Sequence, residues 1–297
     1  MSDPVKQHDL PRTYLRYFAI DPNDRALKSL IYSLWSDTHG NHIKQFSIDS
    51  NIFKTSHFYT IDHQEAFAFE EFLSKEIEPL YGRIMAEILS EKNLSYDCRI
   101  WLVLWLYVNK YRNRAHRANL ERIHNFLIGI PYSMEHGAEK FKKVEKDVEK
   151  VSAISAKKLQ LESLANQDLL SHFDKGMGTK HWTILKSRNS SEFLTNDNPG
   201  FSINMEMGNP DLDTLSNTYA TNSKAWNYFV LSPKYCLLIS PYEVGTPLDT
   251  SLHNQVIEFK TTNERLINFI NWCTAETRTK YLISHKRELL IPYQAVQ

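Results

Sequence analysis

Glycine is scarce in this chain, with 9 of 297 residues, about 3% where roughly 7% is usual. The deficit argues against glycine-rich nucleotide cradles, collagen-like repeats and a flexible low-complexity polymer. Cysteine is scarcer still. Cys98, Cys236 and Cys273 stand far apart without C-x-x-C spacing, which disfavours a disulfide framework or a cysteine-built zinc knuckle. Net charge is missing too, because 35 basic side chains balance 35 acidic ones. No bulk electrostatic pull toward nucleic acid or an anionic membrane follows, although a local patch can exert one. Long apolar runs are also absent. The greasiest stretch, Ile100 to Val108, is closed by Arg99 and Lys110 and reads as a buried helix, since a membrane span needs about 20 apolar residues. The polar start Met1-Ser-Asp-Pro-Val-Lys does not read as a secretory leader. The expected location is therefore the cytoplasm, with no membrane partner. Walker, Rossmann, zincin, nucleophile-elbow and EF-hand motifs are missing. Gly176-Met-Gly-Thr-Lys180 only imitates the tail of a phosphate loop.

What is present suits a folded globule: of all residues 42% are hydrophobic, 12% aromatic and 24% charged. Leu30 to Trp35 and His42 to Ile48 flank a Gly-Asn pair and read as a β-hairpin, with Ser56 to Thr60 as a further extended piece. Asp62-x-x-Glu65 reads as a capped helix start. The stripe Phe69, Phe72, Leu73, Ile77, Leu80, Ile84, Ile88 continues that helix, kinked or divided at Pro79. Ser95 opens a second long helix, expected to run to about Leu127 and to end at Gly129-Ile-Pro131. Its first half is apolar on nearly every side and must be central. Residues 134–176 read as a solvated helical arm or pair. Beyond 180, short strand-like runs (181–186, 192–195, 227–231, 235–240) alternate with polar clusters. Residues 202–224 read as a polar loop, 263–278 as a last helix and 281–284 as a closing strand.

The expected fold class is α+β: a central helical bundle with antiparallel strands from both the N-terminal hairpin and the C-terminal third, paired with each other. One domain over 1–297 is expected, comprising an N-terminal motif and hairpin (8–61), a helical region (62–176) and a β-rich part (180–285).

Four clusters have site chemistry. In His8-x-x-Pro11-x-x-Tyr14-Leu15-x-x-Phe18, His8 is a candidate base or metal ligand; the plain alternative is a short turn whose apolar residues pack. Thr195-Asn196-Asp197-Asn198-Pro199 places a carboxylate at a strand end, and is equally ordinary turn chemistry. Asn109, Arg112 and His116 share one helical face after the buried run, so Arg112 can present a guanidinium to carboxylate or phosphate; alternatively these are cations at a solvated helix end. Arg117 and His124 have a spacing seen in some helical ribonucleases. Asp249 with Glu258-Phe-Lys260 has the layout of a metal-dependent nuclease, two carboxylates on a divalent ion and a lysine orienting water. The same alternation describes any half-buried strand.

These pieces follow an order that resembles a widespread bacterial domain-of-unknown-function family. The H-x-x-P-x-x-Y-L-x-x-F opening, Phe58-Tyr59 before a glutamate-rich helix, the Arg112 helix, the 195–199 loop and Leu231-Ser232-Pro233 carry the resemblance over about residues 8–285. The chain departs from the family pattern at Asn109, where a glutamine is usual, at the Asn-Arg after Arg112, and at Asn196, where a serine is usual. Some members are noted among anti-phage defence genes. The resemblance therefore implies a defence effector acting on nucleic acid or another phosphate-bearing substrate. Its catalytic set would be His8, Arg112 and Asp197, with a helix glutamate such as Glu71 or Glu78. Asn109, His116 and Asn198 would assist binding. A non-enzymatic sensor that engages a phage or host protein is the first alternative. The second is a nuclease that uses Asp249, Glu258, Lys260 and a divalent metal cofactor.

Overall fold

A computed structural model describes residues 6–8, 10–21, 29–38, 40–56, 71–188, 191–242 and 257–294. In chain order the strands are β1 (Lys6–His8), β2 (Leu30–Asp37), β3 (Gly40–Ser47), β4 (Lys54–Ser56), β5 (His181–Lys186), β6 (Thr195–Asn196), β7 (Phe201–Glu206), β8 (Asn209–Ser216), β9 (Ala225–Ser232), β10 (Tyr235–Ser240), β11 (Glu258–Thr261) and β12 (Leu282–Ser284). The helices are α1 (Arg12–Leu15), α2 (Glu78–Leu89), α3 (Tyr96–Arg112), α4 (Arg114–His136), α5 (Ala138–Ala165), α6 (Gln167–Gly178) and α7 (Glu264–Glu276).

The architecture is α+β, with three sheets among the described residues. One has six strands in the order β11-β5-β10-β9-β7-β8, one has four in the order β3-β2-β12-β6, and β1 pairs with β4. The predicted hairpin forms, Leu30 pairing with Ser47 and Asp37 with Gly40. The two ends of the chain do meet, since Leu282 lies opposite Leu34 on one side and Asn196 on the other. The last helix and closing strand form within a residue or two of expectation.

Helix α3 is central as its composition demands. Leu102, Val103, Trp105, Leu106, Tyr107 and Val108 are all buried. Ser95 caps it by accepting the Cys98 N–H at 3.1 Å, which satisfies a donor the first turn leaves orphaned. Pro79 does not divide its helix. The chain is helical on both sides of it, and the helix changes from a π-helical stretch, Leu73–Ile77, to α2 just before the proline, a local widening that accommodates the missing N–H and the ring.

Three expectations are corrected. The helix from Ser95 does not run unbroken to Leu127, because Asn113 is extended. Its side chain accepts the His116 N–H at 2.7 Å and donates to the Asn109 and Lys110 carbonyls, so one residue closes α3 and opens α4. Gly129 and Pro131 do not end α4, which runs on to His136. Pro131 is exposed, so water can serve the carbonyl it leaves unbonded. Gly129 lies against the Phe141 ring, where a Cβ would come within 3.1 Å, so this glycine serves helix–helix contact. Finally, residues 202–224 are not a polar loop throughout. β7 and β8 pair across Met207-Gly208, both at positive φ (50° and 81°), as a two-residue hairpin turn requires. Within 192–195 only Thr195 joins a strand. The predicted helix start at Asp62 and Glu65, Phe58-Tyr59, and Asp249 lie outside the described residues.

Candidate functional site: a carboxylate ringed by an imidazole and two cations

The N-terminal motif is first an anchor. Pro11 opens α1 by accepting the Tyr14 and Leu15 N–H groups, each at 3.1 Å. Leu15 and Phe18 are fully buried. The Tyr14 hydroxyl lies 2.5 Å from Thr195 Oγ1 and donates to the Val230 carbonyl at 2.7 Å. The N-terminal motif is thereby tied to the start of the 195–199 loop and to β9.

His8 stands at the edge of this anchor. Its register partner across the β1–β4 ladder is Lys54. His8 Nε2 lies 3.2 Å from Asp49 Oδ1, and the same oxygen is 3.3 Å from Arg12 Nη1 and 2.9 Å from Lys54 Nζ. Burial, then Lys54 and Arg12, push the His8 imidazole down to about 4, against the pull of Asp49. The ring is therefore neutral at pH 7. Nδ1 is buried without a hydrogen-bond partner among the described residues. Burial raises the Asp49 carboxyl, but Lys54 and His8 outweigh it and hold the group below its ordinary range.

Arg112 meets His8 from behind. Its Nε and Nη2 donate to the His8 carbonyl at 3.2 and 2.6 Å, and Nη2 also lies 3.0 Å from Glu78 Oε1. At 1% exposure this guanidinium faces the chain, and Glu78 is the helix glutamate it meets. Glu71 instead pairs with Lys75 on the surface. Arg114 on α4 braces the same region, donating to Thr55 Oγ1 at 3.0 Å and to the Lys54 carbonyl at 3.0 Å.

The 195–199 loop is spent on backbone. Asp197 accepts the Thr279 and Lys280 N–H groups, each at 2.9 Å, and its own N–H donates to the Tyr281 carbonyl. Burial pushes its carboxyl up, opposed by those N–H groups and by the charge of Arg114. Asn196 Nδ2 donates to the Thr274 carbonyl at 2.6 Å, and Asn198 Nδ2 to the Asn217 carbonyl at 2.5 Å. Asn109 donates to the Trp105 carbonyl at 2.8 Å. His116 stands edge-on to the Tyr111 ring, its imidazole pushed down to about 4 by burial and by Lys110. Arg117 is held by Gln160 Oε1 at 2.8 Å. The structure thus brings Arg112 onto the His8 carbonyl and ties Asp197 to the backbone of residues 279–281.

Sequence reasoning missed Asp49. It missed a second cluster as well, in which Glu192 takes Lys234 at 3.0 Å, Lys286 at 2.6 Å and His285 Nε2 at 3.2 Å. Cavities are found elsewhere. One of about 660 Å³ is lined by Trp272, Arg278, Lys280 and Tyr293 among others, and one of about 550 Å³ by Asn119, Arg122, Asn217 and again Arg278. Glu258 and Lys260 pair with each other at 2.7 Å on the exposed edge strand β11. Among the described residues no three His, Cys, Asp or Glu side chains are grouped to hold a metal ion, and no helix is long and apolar enough to cross a membrane.

Fold and site together define an α+β protein whose N-terminal histidine is held at its imidazole by a carboxylate and at its backbone carbonyl by a buried arginine. The chain belongs to the family described as Protein of unknown function (DUF4238), whose model matches residues 6–288. Neither the curated proteins nor the solved structures contain a match to the chain.

Proposed function

We propose that this protein is a cytoplasmic anti-phage defence effector that acts on nucleic acid or another phosphate-bearing substrate, with His8 as general base. The observation that carries the reading is the half-exposed Asp49 carboxylate that gathers His8, Arg12 and Lys54. Arg12 and Lys54 supply the charge that pairs with phosphate oxygens. Asp49 holds the proton on Nε2, which leaves the lone pair on Nδ1 as the base; that atom is buried, so an attacking hydroxyl must displace its covering to reach it. Burial first, and then the same cations, depress His8, so an arriving phosphate, by offsetting the cations, raises the basicity of the imidazole as it binds. Arg112 and Asp197 act as positioning residues, the first on the His8 backbone and the second on residues 279–281. The resemblance to defence-associated relatives supports the biological role, and three buried, unpaired cysteines suit a reducing compartment.

The test is incubation of purified protein with single-stranded RNA, DNA and nucleotides, with and without divalent metal. Cleavage that is lost in His8→Ala and Asp49→Asn and kept in Glu258→Ala supports the reading. Cleavage lost in Glu258→Ala alone would transfer it to the nuclease alternative. A non-enzymatic module is favoured by one observation: Arg112, Asp197 and Asn198 all bond to the chain itself. On that reading His8→Ala lowers stability and no substrate turns over.

A further inference from the structure

Helices α4 and α5 form a hairpin arm through Gly137, with Asn113 and Gln160 holding its base. Gln160 Nε2 donates to the Tyr111 and Asn113 carbonyls at 2.7 and 3.2 Å. The face of α4 turned toward α5 is accounted for by that packing. The opposite face is not. Ile123, Phe126, Leu127, Ile130 and Met134 recur at three- and four-residue steps and remain 42–82% exposed.

Side chains of this size at that exposure leave roughly 600 Å² of apolar surface, at the upper end of what a monomer tolerates and close to the about 800 Å² per partner of a stable interface. Residues 123–134 contain no Asp, Glu, Lys or Arg; the stretch is bounded by Arg122 at one end and Glu135 at the other. A patch that meets its own copy meets its own charge, so a self-pairing face must be neutral. An antiparallel arrangement also brings the Arg122 end of one helix alongside the Glu135 end of the other and opposes the two helix dipoles.

We infer that this face is a homodimer interface, in which α4 of one chain packs antiparallel on α4 of a second copy, about a two-fold axis near residues 128 and 129. The two arms then form a four-helix bundle, with Leu127 of each copy opposite Ile130 of the other.

Sedimentation equilibrium of the full chain at tens of micromolar tests this. The expected result is a dimer that becomes monomeric in Phe126→Lys/Ile130→Lys with unchanged helical circular dichroism, because both side chains are already on the surface. A wild-type monomer at that concentration overturns the proposal. So does a dimer indifferent to the double substitution, or a monomer that sediments instead with phospholipid vesicles. A short bismaleimide linker distinguishes orientation. Ile130→Cys is expected to cross-link readily, while Met134→Cys, displaced by about 16 Å from its own copy along the axis, is not. Equal cross-linking at both positions overturns the antiparallel pairing.

Discussion

Asp49 and Glu192 are built alike and placed differently. Each carboxylate gathers one imidazole and two cations, His8, Arg12 and Lys54 in one case, His285, Lys234 and Lys286 in the other. The Asp49 side chain is 40% exposed and that of Glu192 4%. Burial decides what the same three partners do. Around Glu192 the cations satisfy a charge that water cannot reach, and their removal leaves a desolvated carboxylate. Around Asp49 part of the charge is served by water, so an incoming anion can compete for Arg12 and Lys54. The inner cluster is a brace; the outer one is where a ligand can enter.

The largest effect that separates them is on activity. His8→Ala and Asp49→Asn are each expected to lower kcat/KM by about 100-fold or more, the usual worth of a positioned base, whereas Glu192→Gln should leave it within a few-fold of wild type. Kinetics on the substrate that the incubation identifies check this. Equal losses in both clusters would erase the distinction. Next is thermal stability. Glu192→Gln removes the charge that two lysines and an imidazole face and is expected to cost about 2–3 kcal/mol, a Tm drop of several degrees in calorimetry. Asp49→Asn should cost less than about 1 kcal/mol, as a half-exposed pair does.

How far all this was legible depends on sequence separation. The 30–47 hairpin, the Ser95 cap and the last helix are written in short patterns, and they form where those patterns place them. The clusters are not written locally. Asp49 follows Ile48 without any motif and reaches His8 only because β1 pairs with β4. Glu192 meets its imidazole 93 residues further on through the strand that closes the four-stranded sheet. Arg112 was legible as a helix-face arginine after a buried run, but its direction was not. Whether such a guanidinium faces water or a carbonyl is decided by the element packed over it, here β1. The β7–β8 hairpin escaped because Met207 stands at positive φ where Asn or Asp is the familiar signal.

The smallest expected effect is in pH dependence, and it sharpens the same comparison. The His8 imidazole is depressed from 6.5 to about 4, so between those values the unfolded chain binds a proton that the folded chain refuses. Stability must rise with pH across that window, and this share is complete above about 6.5 and lost as pH falls toward 4. The difference sets a ceiling of roughly 3 kcal/mol, lowered by the water that reaches the Asp49 side. Glu192 works in a lower window. Burial raises its carboxyl, but Lys286 and Lys234 outweigh that and hold it below its ordinary 4.5, so its contribution stands above that value and goes as pH falls through it. Urea unfolding at intervals from pH 7 to 3.5 is expected to show His8→Gln flattening the slope between 4 and 6.5, with the loss below 4.5 retained. His116 and His285 are depressed as well, so a residual slope remains in the variant. An unchanged slope would mean that His8 is not held neutral, and the outer cluster would then be a closed salt bridge like the inner one.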